Sequence, residues 1–143
     1  MRMMKKDFAG GIRPKRHKRQ PEFELQSQIC RYLRLQYPKV IFLSDTVASV
    51  KLTPAQASRN KQIQKSGFKI PDLLILEPKN EFSGLMIELK IESPFKLNGQ
   101  IKTNEHLKEQ AKSINILNGK GYYACFIWDF ESAKNLIDKY LKE

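Results

Sequence analysis

Two carboxylates and a lysine stand where a folded chain would ordinarily bury aliphatic side chains. In "KIPDLLILEPKNEFSGLMIELK", residues 69–90, Asp72 opens one apolar run, and Glu88 and Lys90 close the next. Ionised groups inside a core are costly unless paired, hydrogen-bonded or bound to metal, so their presence calls for a chemical reason. "DLLIL" and "GLMIELK" flank a seven-residue polar loop, the pattern of a β-hairpin. If Leu76 pairs with Gly84, Asp72 falls opposite Glu88 on the same face, and Lys90, two residues on, projects beside Glu88. Apposed like charges destabilise a strand pair; a hard divalent cation that takes carboxylate oxygens and keeps several waters, namely Mg²⁺, would compensate them. Lys90 is then placed to orient or deprotonate a water on that cation, or to stabilise charge developing on a phosphate. That is phosphodiester chemistry. The plainer alternative has Glu88 and Lys90 in ordinary ion pairs at a strand end and Asp72 capping a turn after Pro71. "ELK" alone favours that alternative, because short charged motifs specify little; the three residues together on paired strands favour the site.

The elements that must position these residues can be read from periodicity. "EFELQSQICRYLRLQYP" places Leu25, Ile29 and Leu33 at helical spacing until Pro38 stops the run, which predicts a helix over residues 22–37. "VIFLS", 40–44, suits a short strand. In "LTPAQASRNKQIQKSG", Thr53 caps a second helix, Pro54 takes its first position and Gly67 ends it; this helix is polar nearly all round. The runs at 72–76 and 84–90 show no clean polar alternation, so they are expected to be central strands covered on both faces. Asn98-Gly99 predicts a small projecting hairpin over 95–102, with Phe95 and Ile101 able to stand outside the core as an interface element or wedge, although a simple surface loop fits as well. Leu107, Ala111, Ile114 and Leu117 mark a helix ended by Gly119, "YYACFIW" (122–128) a strand, and Ala133, Leu136, Ile137 and Tyr140 a closing helix. Helix, strand, helix, two paired strands, helix, strand, helix makes an α/β layer structure with a mixed sheet.

Composition narrows the partner. A chain of 143 residues, 41% hydrophobic, suits one domain over 21–143 behind a basic tail over 1–20. Its net charge is +11, and +7 of that sits in residues 1–20. Such a balance favours an anionic partner. Arg13, Lys15, Arg16, Lys18 and Arg19 in "RPKRHKR" suit an arm laid on phosphates without base reading. Lys51, Arg59, Lys61 and Lys65, on or beside the polar helix, and Lys96 in the hairpin are further candidates for the nucleic-acid backbone, although a solvated face accounts for the helix set nearly as well. No apolar run approaches the roughly 18 residues of a membrane span, and the N-terminus lacks the apolar segment of a signal peptide, so a cytoplasmic protein is expected. Cys30 and Cys125 show no metal-ligand spacing and read as reduced core thiols.

At these residues a family resemblance enters. "PDLLIL…GLMIELK" resembles the PD-(D/E)xK nuclease signature, with Pro71-Asp72 and Glu88-Leu89-Lys90, and the element order over 22–128 is similar to that superfamily's restriction-endonuclease-like αβββαβ core. "HLKEQAKSINILNGKGYYACFIWDFESAKNLIDKYL" resembles the VRR-NUC branch, in which a Gln on the helix after ExK and a "GY.A" strand start recur. The resemblance implies a Mg²⁺- or Mn²⁺-dependent nuclease. Asp72 and Glu88 would be metal ligands, the Leu89 carbonyl a third, Lys90 catalytic, Gln110 a support of the site, and Glu24 the first helix's acid and a further ligand. Taken on the residues alone, Glu24 could as well be solvated helix surface, and Gln110 could make a purely structural hydrogen bond. "GFKIPD" departs from the family pattern in lacking a second Gly before the Pro.

The expected function is therefore a metal-dependent DNA endonuclease, a homodimer acting on branched DNA such as a Holliday junction. That last expectation rests on analogy with short, stand-alone relatives. The alternatives are a flap or restriction-type nuclease acting as a monomer, and a non-catalytic DNA-binding module, which would need no apposed carboxylates.

Overall fold

The computed structural model describes residues 21–44 and 51–142. The basic tail, with Arg13, Lys15, Arg16, Lys18 and Arg19, lies outside the described residues. Eight elements follow in the order α1 (Pro21–Gln36), β1 (Phe42–Ser44), α2 (Pro54–Ile63), β2 (Leu73–Ile75), β3 (Leu85–Leu89), α3 (Glu105–Gly119), β4 (Tyr123–Ile127) and α4 (Phe130–Lys142). The strands form one mixed sheet in the order β1-β2-β3-β4, antiparallel except for the parallel β3–β4 pair. The α/β architecture expected from the element order is the one observed, with β2 and β3 as the central strands.

The sheet's two faces are divided by residue parity. Leu73, Ile75, Leu85, Ile87 and Leu89 pack with Ile29 and Leu33 of α1 and Ala133 and Ile137 of α4. Met86, Ala124 and Phe126 pack on the other face with Leu107 and Ile114 of α3. Every residue of β3 is buried, which explains why its sequence lacks polar alternation. α1 ends at Gln36, one residue short of the expected end, because the residue before Pro38 is disfavoured in helical conformation. α1 is tied to α4 by Tyr32 and Tyr37, whose hydroxyls both donate to Asp138 Oδ1, at 2.6 Å from Tyr37. Burial pushes the Tyr32 hydroxyl up to about 12 and raises that of Tyr37 as well, with the bonds to Asp138 adding to both shifts. Burial works to raise Asp138 too, but the two tyrosine bonds and Lys142 outweigh it and hold the carboxyl below its ordinary value.

Local chemistry sets several boundaries. Thr53 and Gln56 form a reciprocal capping box at the start of α2, with Pro54 at the first helical position, as expected. The expected stop at Gly67 is corrected: α2 ends at Ile63, with Gln64 already extended. No residue of α2 is buried, so no packing holds a last turn beyond what the cap and local propensity support. Between β2 and β3, Lys79 and Phe82 exchange backbone hydrogen bonds around Asn80, whose φ of 53° makes a tight turn inside the longer loop. Gly84 is required by space: a Cβ there would lie 2.9 Å from the Ile75 carbonyl oxygen.

The 95–102 hairpin is present but differs from expectation in two ways. Lys96 pairs with Gln100 and Gly99 N–H bonds to Lys96 C=O, so the loop holds three residues, with Gly99 at φ 82°. Ile101 is half-buried rather than outside the core, while Phe95 stays 36% exposed. Phe95 packs edge-on against Phe126 and Trp128, and Ile101 lies against the α3-side cluster. The fully exposed apolar residue is Leu97, at the tip. Both cysteines are free, and burial pushes the Cys125 thiol up to about 12, as suits core thiols.

Candidate active site

Register decides the central question. Leu73 pairs with Ile87, Leu74 with Met86 and Ile75 with Leu85, and continuing that ladder one step back sets Asp72 opposite Glu88. The two carboxyls touch: Asp72 and Glu88 share a side-chain hydrogen bond. Asp72 Oδ2 also accepts from the Leu89 N–H at 2.8 Å, which locks the carboxylate across the end of β3. Glu88 is 5% exposed, on the α3 face of the most buried strand. Desolvation pushes its carboxyl up to about 9, the Asp72 charge and hydrogen bond add to the rise, Lys90 opposes it, and Glu22 adds a smaller push. At neutral pH the pair therefore holds a proton. Lys90 follows β3 directly, with its backbone N–H fixed to the Ile127 carbonyl at 2.9 Å and its side chain half-buried.

Gln110 completes this inner layer. It is 7% exposed, and its Nε2 donates to Glu88 Oε1 at 2.6 Å. The expectation that an amide on the inner side of α3 must find a partner is met by the glutamate itself. Among the described residues, Gln110 Oε1 is the buried side-chain oxygen with no partner. One turn further along α3, the buried Ser113 Oγ accepts from the Lys69 N–H at 2.8 Å, and Glu109 pairs with Lys69 Nζ at 3.6 Å. α3 thus grips Glu88 and, separately, the segment that leads through Pro71 to Asp72. Sequence reasoning passed over Ser113; its signal was its place on the α3 stripe with Gln110.

The first turn of α1 carries two exposed acids, Glu22 and Glu24. Glu22 borders the cleft beside Lys90 and its charge reaches Glu88, whereas Glu24 lies two residues, or about 200°, further around the helix axis. Glu22 continues the stripe of Leu25, Ile29 and Leu33, which is the side of α1 that faces the sheet. That stripe was the usable signal for Glu22. Arg59, Lys61, Lys65 and Lys51 are exposed on and around α2, and Lys96 is exposed in the hairpin, all open to an anionic partner. Among the described residues no group of three or more His, Cys, Asp or Glu side chains clusters as a metal cage. The pair of Asp72 and Glu88 still fits a hard cation, since Mg²⁺ is commonly held by one or two carboxylates with water and substrate oxygens completing its shell.

A mixed sheet carrying this carboxylate pair and lysine, flanked by helices on both faces, is a restriction-endonuclease-like arrangement. The chain is similar in structure to a solved protein described as a VRR_NUC domain protein, with a TM-score of 0.56 and 23% sequence identity over 88% of this chain and 92% of that one. No family model matches the chain, and no curated protein matches it. Among the described residues no helix is long and apolar enough to cross a membrane.

Proposed function

We propose that this protein is a VRR-NUC-type nuclease that hydrolyses DNA phosphodiester bonds with Mg²⁺ or Mn²⁺. The observation that carries the reading is the Asp72–Glu88 pair, two hydrogen-bonded carboxyls facing each other across central strands, with Lys90 alongside. A structural role would place an apolar pair there at lower cost. Asp72, Glu88 and the Leu89 carbonyl would hold the cation, with Glu22 rather than Glu24 as the acid contributed by α1. The bound cation supplies the charge that polarises the phosphoryl group and acidifies water. To hold a cation Glu88 would have to give up its proton, and Gln110 Nε2 would keep the ionised oxygen in place. Gln110 Oε1 is left to accept from a water in the site. Lys90 stabilises negative charge growing on the scissile phosphate or orients the attacking water.

The finer reading is a homodimer acting on branched DNA in the cytoplasm, where both thiols stay reduced. One chain offers one such site, and paired cuts in the two symmetry-related strands of a junction need two sites at fixed spacing, which a two-fold dimer supplies. The test is a panel of labelled linear duplex, flap and four-way-junction DNAs with Mg²⁺, run beside Asp72→Asn, Glu88→Gln and Lys90→Ala, with light scattering at micromolar concentration. Junction cleavage by a dimer, lost in all three variants with DNA binding retained, is the expected result. Undiminished cleavage by any of the three would overturn the site, and flap cleavage by a monomer would overturn the finer reading.

A further inference from the structure

Beside Lys90 the surface opens into a cleft of about 240 Å³ between the base of the hairpin, the start of α3 and Glu22. An opening of that size beside Lys90 can take a segment of sugar-phosphate backbone. Its walls are of two kinds. Ile91, Pro94 and Leu107 form an apolar side, and Lys90, Glu92, Ser93, Lys102, Asn104 and His106 present polar groups. Lys102 reaches Glu92 at 3.8 Å, an exposed pair that leaves the ammonium open to a stronger anion. Asn104 Oδ1 is used as the N-cap of α3, accepting from the Leu107 N–H at 3.1 Å, so the Asn104 amino group remains the donor on that side.

The cleft is held by rigid parts. The hairpin strand that leads to Lys102 is fixed by the Phe95–Ile101 bridge, by Phe95 against Phe126 and Trp128, and by the Lys102 N–H bonded to the Pro94 carbonyl at 3.0 Å. His106 stands in the first turn of a 15-residue helix whose terminus favours negative charge. Lys90 is shared with the carboxylate site, so whatever fills the cleft continues directly from the scissile group.

We infer that this cleft receives the nucleotide next to the cleaved bond, with Lys102 and His106 gripping the adjacent backbone phosphate and Glu92 competing for Lys102 until the substrate displaces it. The inference rests on the nuclease reading and adds a substrate-positioning site to it. Lys102 and His106 are accordingly positioning residues.

The experiment measures binding of a fluorescent four-way junction and a linear duplex by anisotropy, with Ca²⁺ in place of Mg²⁺, across a salt series. A single phosphate contact contributes about 0.9 to the log–log salt slope, so losing one should weaken binding roughly eightfold relative to a 1 M reference when measured at 0.1 M salt. Lys102→Gln should lose about that, His106→Ala should weaken binding through a lost hydrogen bond without changing the salt slope, Lys102→Arg should retain binding, and Glu92→Gln should bind more tightly than wild type. In steady-state cleavage, Lys102→Gln should raise KM more than it lowers kcat. Neutral methylphosphonate linkages are then placed singly at successive positions beside the cut. One adjacent linkage should weaken wild type and leave Lys102→Gln no weaker than it already is, a coupling that a merely structural lysine would not show. Wild-type affinity and salt slope in both Lys102→Gln and His106→Ala would overturn the cleft while leaving the nuclease reading intact. Binding that depends on both residues, with no cleavage of any DNA by wild type in Mg²⁺, would keep the phosphate cleft and overturn the nuclease reading.

Discussion

Replacing Glu88 with glutamine should remove a pH dependence from the stability of the metal-free protein. In the folded chain the Glu88 carboxyl rises from its ordinary 4.5 to about 9, because burial and the Asp72 carboxylate disfavour its charge. The folded state therefore holds a proton that the unfolded chain has already released throughout that window. Stability from this group is fully present below pH 4.5 and falls as pH rises toward 9, by at most about 1.4 kcal/mol per pH unit. Between pH 6 and pH 8 the upper limit is thus close to 3 kcal/mol, a large part of the roughly 5–15 kcal/mol that stabilises a domain. In Glu88→Gln the new side chain would carry no proton to lose, and its amide could donate to the unpartnered Gln110 Oε1. Urea unfolding in EDTA at pH 6, 7 and 8 should show the wild-type midpoint falling relative to Glu88→Gln, a comparison that cancels contributions from the histidines. Mg²⁺ at a hundredfold excess over its Kd should return about 2.7 kcal/mol to wild type and little to the variant. Parallel pH trends for the two proteins, or a wild type that gains stability relative to the variant as pH rises, would refute the buried, proton-sharing pair.

The two acids of α1 can be separated directly: Glu22→Gln should reduce Mg²⁺ affinity or cleavage by roughly tenfold or more, as for groups supporting a metal site, while Glu24→Gln should match wild type in metal titration and turnover. Tyr37→Phe should destabilise the fold by about 1 to 2 kcal/mol, since it removes a bond to the ionised Asp138 at the α1–α4 junction, and thermal unfolding would read the loss with cleavage at low temperature preserved. Deleting residues 1–20 should lower the salt dependence of DNA binding by roughly one log–log unit per phosphate contact removed, with the rate at saturating DNA nearly unchanged. Equal salt slopes with and without the tail would show that it makes no phosphate contacts.

Much of this protein was legible along the chain because the information was local. Helical stripes such as Leu25, Ile29 and Leu33, the Thr53-Pro54 start of α2 and the unbroken apolar runs of β2 and β3 are one-dimensional signals that packing confirmed. The Asp72–Glu88 apposition followed from sequence on the condition that Leu76 pairs with Gly84, and the observed ladder keeps that register. Tertiary structure decided what depends on directions between elements. That Glu22, rather than Glu24, borders the cleft and sends its charge to Glu88 is a matter of how the helix is turned against the sheet, which no single acidic residue reveals. Ile101 was drawn against the α3-side cluster, and the ring of Phe95, still 36% exposed, met Phe126 and Trp128 far along the chain. The raised affinity of Glu88 for its proton is likewise a property of the assembled site. It requires burial by α3 and a second carboxyl within reach, and neither is present until the sheet has closed.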